Sequence, residues 1–324
     1  MRIVFHGENA ASFSHGFAEV LGTDAEIAVL PEALPCATDR AAYTRADVII
    51  GTRFDASLPR PERLSLYHLP AAGYDGIVFA ALPPGVVVCN CFGHEQAIAE
   101  YVMAALLQRC VPLADADRRL RQGDWAYWAG APERTHAELG DSTIGLLGFG
   151  HIGQAVAARA KSFGMRVHVA NRSPVALSAL VDRYVPLADL ASFWGGADYL
   201  VVTVPLLPET RGMVGADAFR AMRSDAVLIN VARGPVVDEQ ALFDALQDRR
   251  IGGAVIDTWY QYPSAADARA APGSLPFADL PNLVMTPHMS GWTKGTIRRR
   301  QATMAENIRR RAGGEACENV VWQG

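Results

Sequence analysis

No run of apolar residues in this chain approaches the roughly 18 that a membrane-spanning helix needs. The opening stretch MRIVFHGENAA also lacks the apolar core of a secretory signal. Cysteine is scarce and unpatterned. The five residues Cys36, Cys89, Cys91, Cys110 and Cys317 form no CxxC pair and no zinc-type spacing, so neither a disulfide framework nor a metal is expected. Cys89 and Cys91 follow Val86-Val87-Val88 two apart, which would put both on one face of an extended strand. A vicinal redox or metal pair is one reading of them; buried, reduced thiols are the ordinary one. An excess of positive charge is missing too. Thirty basic residues against 34 acidic ones give a formal charge of −4, which excludes a nucleic-acid backbone as the expected partner. The two arginine runs, Arg298-Arg299-Arg300 and Arg309-Arg310-Arg311, have Ile297, Met304 and Ile308 at helical spacing around them and read as a solvated helix face. A soluble, cytoplasmic protein is expected.

What is present is the pattern of an α/β protein. At 324 residues, 50% of them hydrophobic and 20% charged, the chain is long enough for two cores of about 150 residues each. Strand signals at 2–5, 47–50, 65–69 and 86–88 form a first series. A second runs through 143–147, 166–170, 199–204, 226–231, 254–257 and 284–286. Runs such as LVVTV and AVLINV are apolar throughout, as strands covered on both faces are. Between the series lies a long amphipathic helix candidate, 97–113, followed by an irregular stretch, 123–139, that holds Trp125, Tyr127 and Trp128. The Pro/Gly/Ala-rich segment 263–276 reads as a surface loop.

The segment TIGLLGFGHIG places the glycines Gly148, Gly150 and Gly153 in G-x-G-x-x-G spacing directly after a strand, and helix-favouring residues 154–163 follow. The first glycine permits a tight turn, the second lets a pyrophosphate approach the backbone, and the third lets helix and strand come together. Free N–H groups and the positive dipole end of the helix then face the phosphates. Dinucleotide binding is expected. The second strand should end on an acid that grips the ribose hydroxyls, yet it runs Val-Ala170-Asn171-Arg172-Ser173. A carboxylate there would repel a 2′-phosphate, whereas Asn171, Arg172 and Ser173 could accept one. That favours NADP(H) over NAD(H), although an asparagine can also bond a bare ribose. Three later strands end near Arg233, Asp257 and His288. Ligands of open α/β sheets bind beyond the carboxyl ends of the strands, so the three form a constellation.

With these motifs in place, the chain resembles the D-isomer-specific 2-hydroxyacid dehydrogenases. The resemblance rests on the glycine motif and on TVPLLPETR (203–211), LINVARGPVVDE (228–239), IDTW (256–259) and MTPHMSG (285–291). AAGYD (71–75) and AIAEYV (97–102) extend it over nearly the whole chain. It implies two doubly wound parallel-sheet domains with an active-site cleft between them. One would be a Rossmann cofactor domain over 97–292; the other, flavodoxin-like and discontinuous, would bind substrate and span 1–96 with 293–324. A homodimer is implied as well, and hydride transfer between NAD(P)(H) and a small 2-oxo or 2-hydroxy acid.

Within that resemblance Arg233 would clamp the substrate carboxylate and carbonyl with its charged fork, and His288 would give or take the C2 hydroxyl proton. Backbone N–H groups around Ala72 and Gly73 would complete the carboxylate pocket. Asp257 would accept the nicotinamide carboxamide, and Val231 and Ala232 would line the nicotinamide by their backbone. His151, Ile152, Val204, Pro205, Thr210, His288 and Gly291 would complete the cofactor contacts. One position departs from the family. Five residues after Asp257 and just before a proline, where the family has a glutamate to charge the histidine, stands Tyr262, with Gln261 beside it. Tyr262 is therefore the candidate partner of His288, and a neutral one. Two alternatives remain open. One is a formate-like or phosphite-like oxidation of a small anion, although phosphite-type relatives carry lysine where this chain has Ala72. The other is a dinucleotide-sensing binding protein of the corepressor type. Trp292, Tyr74 and the cluster 125–128 suit either a larger apolar pocket or core or dimer packing.

Overall fold

The structure, a computed structural model, describes residues 1–130, 132–263 and 268–324. The chain divides into two compact units, Met1–His94 with Thr293–Gly324, and Glu95–Trp292. Each is built on one twisted sheet covered on both faces.

The first unit begins β1 (Arg2–His6), α1 (Glu8–Ala11), α2 (Phe17–Leu21), β2 (Glu26–Leu30), α3 (Ala37–Thr44), β3 (Val48–Gly51), β4 (Leu66–His68) and β5 (Val87–Cys89). The second continues with α4 (Glu95–Cys110), α5 (Leu113–Leu120), β6 (Thr143–Leu147), α6 (His151–Ser162), β7 (Arg166–Asn171), β8 (Arg183–Pro186), α7 (Leu190–Trp194) and β9 (Tyr199–Val202). It closes with α8 (Ala216–Ala221), β10 (Val227–Asn230), α9 (Glu239–Gln247), β11 (Gly253–Ile256) and β12 (Leu283–Met285). The chain then returns to the first unit through α10 (Lys294–Ala312) and β13 (Val320–Gln323).

The second unit's seven strands run in the order β12-β11-β10-β9-β6-β7-β8, and every pairing is parallel. Strand order reverses at β6, which makes the loop after β6 the switch point where such sheets open to ligands. Alternation along β6 divides the core: Ile144 and Leu146 pack on one face, Leu147 on the other. The first unit's order is β13-β5-β4-β3-β1-β2, parallel except for β13, which pairs antiparallel with β5.

Several local expectations needed correcting. The helix expected over 97–113 is two helices, because Pro112 supplies no N–H to continue α4 and instead starts α5. Helix α6 begins at His151, three residues before the helix-favouring run. Strands β2, β8 and β13 were missed: each lies at a sheet edge, where burial on fewer sides removes the continuous apolar signal. The arginine runs on α10 are not simply a solvated face. Arg300 is buried and donates to the carbonyls of Pro70 and Phe92, and Arg311 reaches those of Ser65 and Gly85. These guanidinium groups tie α10 to the carbonyls of neighbouring loops. Cys89 and Cys91 are buried free thiols on one face of the first unit's core. Of the loop 263–276 and the irregular stretch 123–139, residues 264–267 and 131 lie outside the described residues. No single helix among the described residues is long and apolar enough to cross a membrane, and no cluster among them could hold a metal.

Candidate active site

Gly148 ends β6 with φ +100°, a left-handed value that glycine adopts without strain. A Cβ there would meet Thr203 Oγ1 at 2.9 Å and Val204 Cγ1 at 3.0 Å, and one on Gly153 would meet Gly148 O at 2.5 Å. Gly150 is different: a Cβ on it would meet nothing within 4 Å. The first and third glycines thus let the chain pack against itself, while the second stands open at the start of α6. His151 and Ile152 form that helix's first turn. This is the cradle a pyrophosphate requires, and the residues present fit a dinucleotide.

Asn171 closes β7, and its side chain is committed to the protein. Its Oδ1 accepts from Phe149 N–H at 3.3 Å, and its Nδ2 donates to Ser173 O at 3.0 Å, so it braces the glycine turn. Arg172 points outward, its side chain 79% exposed, with Glu209 3.9 Å away. Ser173 follows on the same exposed turn. Thr210 is buried and spends its hydroxyl on the carbonyl of Pro205 at 2.7 Å and on Leu207 N–H at 2.8 Å, which folds the turn after Val204.

Asn230, the last residue of β10, shapes the turn that carries Arg233. Its Oδ1 accepts from Ala232 N–H at 3.0 Å, and its Nδ2 donates to Arg233 O at 3.0 Å. Val231 and Ala232 are buried beside it. Arg233 itself is half-buried and donates to Ala232 O at 2.9 Å.

Asp257 follows β11 and is 0% exposed. Its Oδ1 receives the Thr286 hydroxyl at 2.6 Å and Met289 N–H at 2.9 Å, and its Oδ2 receives Ser290 N–H at 2.9 Å. The carboxylate is turned inward, and its two oxygens share three donors. Thr286, 29 positions further on, and Tyr101 on α4 were not singled out by the sequence. Tyr101 Oη lies 2.6 Å from Thr286 Oγ1.

His288 is exposed and left-handed, with φ +59°. Tyr262 Oη lies 2.9 Å from its Nδ1. Trp259 N–H donates to the same hydroxyl at 3.1 Å, which leaves the phenol a lone pair and its own proton, so it can accept from a protonated Nδ1 or donate to a bare one. Desolvation raises the Tyr262 pKa above that of a free phenol, outweighing the Trp259 hydrogen bond and the Arg233 charge that pull it down. Tyr262 is therefore an uncharged hydrogen-bonding partner at physiological pH. Gly291 is half-buried; Met289 and Trp292 flank it, 51% and 44% exposed. Trp125, Trp128 and Tyr74 are exposed as well, which removes core packing as their role.

In the first unit, Ala72 and Gly73 are half-buried in a segment pinned by its carbonyls. Asn90 Nδ2 donates to Ala72 O at 2.7 Å, and Cys91 N–H donates to Ala71 O at 3.0 Å.

The family model for the NAD-binding domain of D-isomer specific 2-hydroxyacid dehydrogenases matches residues 103–290. A glyoxylate reductase of Korarchaeum cryptofilum is 34% identical over 257 residues, 78% of this chain and 74% of that relative. A glycerate dehydrogenase of Methylorubrum extorquens is 33% identical over 269 residues, 80% of this chain and 79% of its own length. Among solved structures, an acyclic imino acid reductase (Bsp5) in complex with NADPH and D-Arg is 25% identical, with a TM-score of 0.79 over 99% of this chain and 100% of that one. The chain belongs to the D-isomer specific 2-hydroxyacid dehydrogenase family. It is an oxidoreductase that uses a nicotinamide dinucleotide and acts on the CH–OH group of 2-hydroxy acids.

Proposed function

We propose that the protein reduces a small 2-oxo acid with NADPH in preference to NADH, using Arg233 as the carboxylate clamp and His288 as the proton carrier. The observation that carries this reading is the pairing of His288 with Tyr262 at 2.9 Å, within reach of the Arg233 charge. A dinucleotide held by its pyrophosphate at the glycine turn would supply the hydride. Arg233 offers two parallel N–H donors, a fork that matches a carboxylate and the adjoining carbonyl. As imidazolium, His288 can give a proton to the substrate carbonyl oxygen, and Tyr262 supports the ring by hydrogen bonding without adding charge. The exposed Arg172 and Ser173 favour a 2′-phosphate, and no carboxylate ends β7 to repel one. In the first unit, the segment at Ala72 and Gly73 remains the candidate backbone ligand for a carboxylate.

A panel of 2-oxo acids, glyoxylate and hydroxypyruvate included, assayed with NADH and NADPH tests the proposal. Failure to turn over any of them with either cofactor would sink it. A second reading is favoured by the same neutral Tyr262. An iminium substrate is cationic, and an uncharged His–Tyr pair does not repel it as an imidazolium would. The solved imino acid reductase is consistent with this reading. Adding ammonium or a primary amine to the panel separates the two, because imine reduction requires the amine and carbonyl reduction does not.

Leu113, Leu120, Trp125, Tyr127 and Trp128 leave an apolar surface on the second unit that a second copy would cover. A homodimer mass in light scattering is the expected result, and a monomer at micromolar concentration contradicts it. The free thiols suit a reducing compartment, and the cytoplasm is proposed on that ground.

A further inference from the structure

We propose that Asp257 is a positioning residue for His288: its buried carboxylate, braced by Thr286 and Tyr101, holds the left-handed turn that presents the imidazole. The inference rests on the reading of His288 as the proton carrier.

A histidine at φ +59° occupies a conformation that side-chain-bearing residues rarely adopt, so something must hold it there. His288 N–H donates to Thr286 O at 3.1 Å, which tightens the chain around Pro287. The next two N–H groups, of Met289 and Ser290, converge on one carboxylate, a concavity that selects an anion. Asp257 supplies that anion from the end of β11, where its own N–H is fixed to Asn230 O at 3.0 Å. The turn is thereby referenced to the paired ends of β10 and β11.

The remaining bonds follow a single direction. A carboxylate only accepts, so Thr286 Oγ1 must donate to Asp257; it can then only accept from Tyr101, whose phenol supplies the proton. Burial keeps that phenol protonated. The far side of the turn is held by Trp259, whose indole N–H donates to Thr286 O at 2.8 Å. Trp259 is also the residue whose backbone orients the Tyr262 hydroxyl, so one tryptophan spans both the turn and the partner of His288. A buried carboxylate is retained only where its hydrogen bonds offset desolvation, and here three donors converge on it.

Replacing Asp257 by Asn in the full chain tests this, because an amide NH2 in place of either oxygen turns at least one accepted bond into a clash of donors. Four results are expected. NADH and NADPH Kd values stay within about threefold of the parent. Amide exchange at Met289 and Ser290 speeds up by about tenfold or more. The kcat for 2-oxo acid reduction falls by about 30-fold. The double variant Asp257→Asn/His288→Asn is no slower than His288→Asn alone, because Asp257 acts through the ring.

Thr286→Val, which keeps the carboxylate and removes one donor, should give the same pattern at about fivefold and serves if the first variant does not fold. A cofactor Kd raised more than about tenfold with unchanged exchange at Met289 and Ser290 overturns the proposal in favour of direct contact with the nicotinamide. Multiplicative losses in the double variant overturn it too. If the parent protein reduces no 2-oxo acid, the functional reading fails. The exchange and cofactor-binding arms then still decide the clamp.

Discussion

Of the left-handed residues in the second unit, Gly148 and His288 sit in turns that manage the conformation in opposite ways. After β6 the left-handed residue is Gly148, which has no side chain to strain, and the space its missing Cβ leaves is filled by Thr203 and Val204. After β12 it is His288, which must keep its ring, so the conformation is held by a neighbour's carboxylate. A backbone site for a ligand can be made by deleting side chains. A site whose ring does the chemistry cannot, and it needs support from residues far away in sequence.

His288→Asn breaks the comparison most visibly. Asparagine tolerates the left-handed region, so kcat/KM should fall by about 10²–10⁴-fold while Tm stays level or rises slightly. A Tm lowered by several degrees would mean that the ring itself holds the turn. Arg233→Lys should cost about 100-fold in kcat/KM, since a point charge does not reproduce the paired grip. Kinetics close to the parent's, with the fold intact by circular dichroism, remove Arg233 from the mechanism.

On the glycine side the loss should fall on binding. Gly153→Ala places a carbon 2.5 Å from Gly148 O, so α6 must shift. Cofactor Kd should then rise by about tenfold, with kcat at saturation much less affected. An unaltered Kd by fluorescence titration would show that helix and turn have slack. The smallest effect concerns the choice of dinucleotide. Asn171→Asp keeps the acceptor for Phe149 N–H and adds a negative charge, which should shift the NADPH-to-NADH Kd ratio toward NADH by about tenfold. An NADH preference in the parent protein contradicts the premise.

The contrast also marks what the sequence made legible. Glycine spacing after an apolar strand announces its own geometry, and the fully covered strands β6, β9 and β10 stand out as unbroken apolar runs. Edge strands such as β8 do not, because RYVP needs only one buried neighbour. Arg233, Asp257 and His288 were conspicuous by residue type and place, and Tyr262 by its spacing from Asp257. The orientation of the Asp257 carboxylate was not legible. It depends on Thr286, which reaches it only through the β11–β12 pairing, and on Tyr101, brought in by α4. Asn230 ends β10 as the apolar run implies, but that its amide shapes the turn before Arg233 was not legible.

The central claim is that His288 works beside a neutral partner, and the pH dependence of kcat/KM for 2-oxo acid reduction tests it most directly. Reduction needs a proton on His288, so activity is lost as pH rises through its pKa. Tyr262 is uncharged over that range and lends the imidazolium no Coulombic support. A glutamate at position 262 would raise that pKa, so Tyr262→Glu should move the basic limb upward by about one pH unit. A limb that stays in place in a folded, active Tyr262→Glu variant would contradict the account, because Tyr262 would then not be the group that sets the charge of His288.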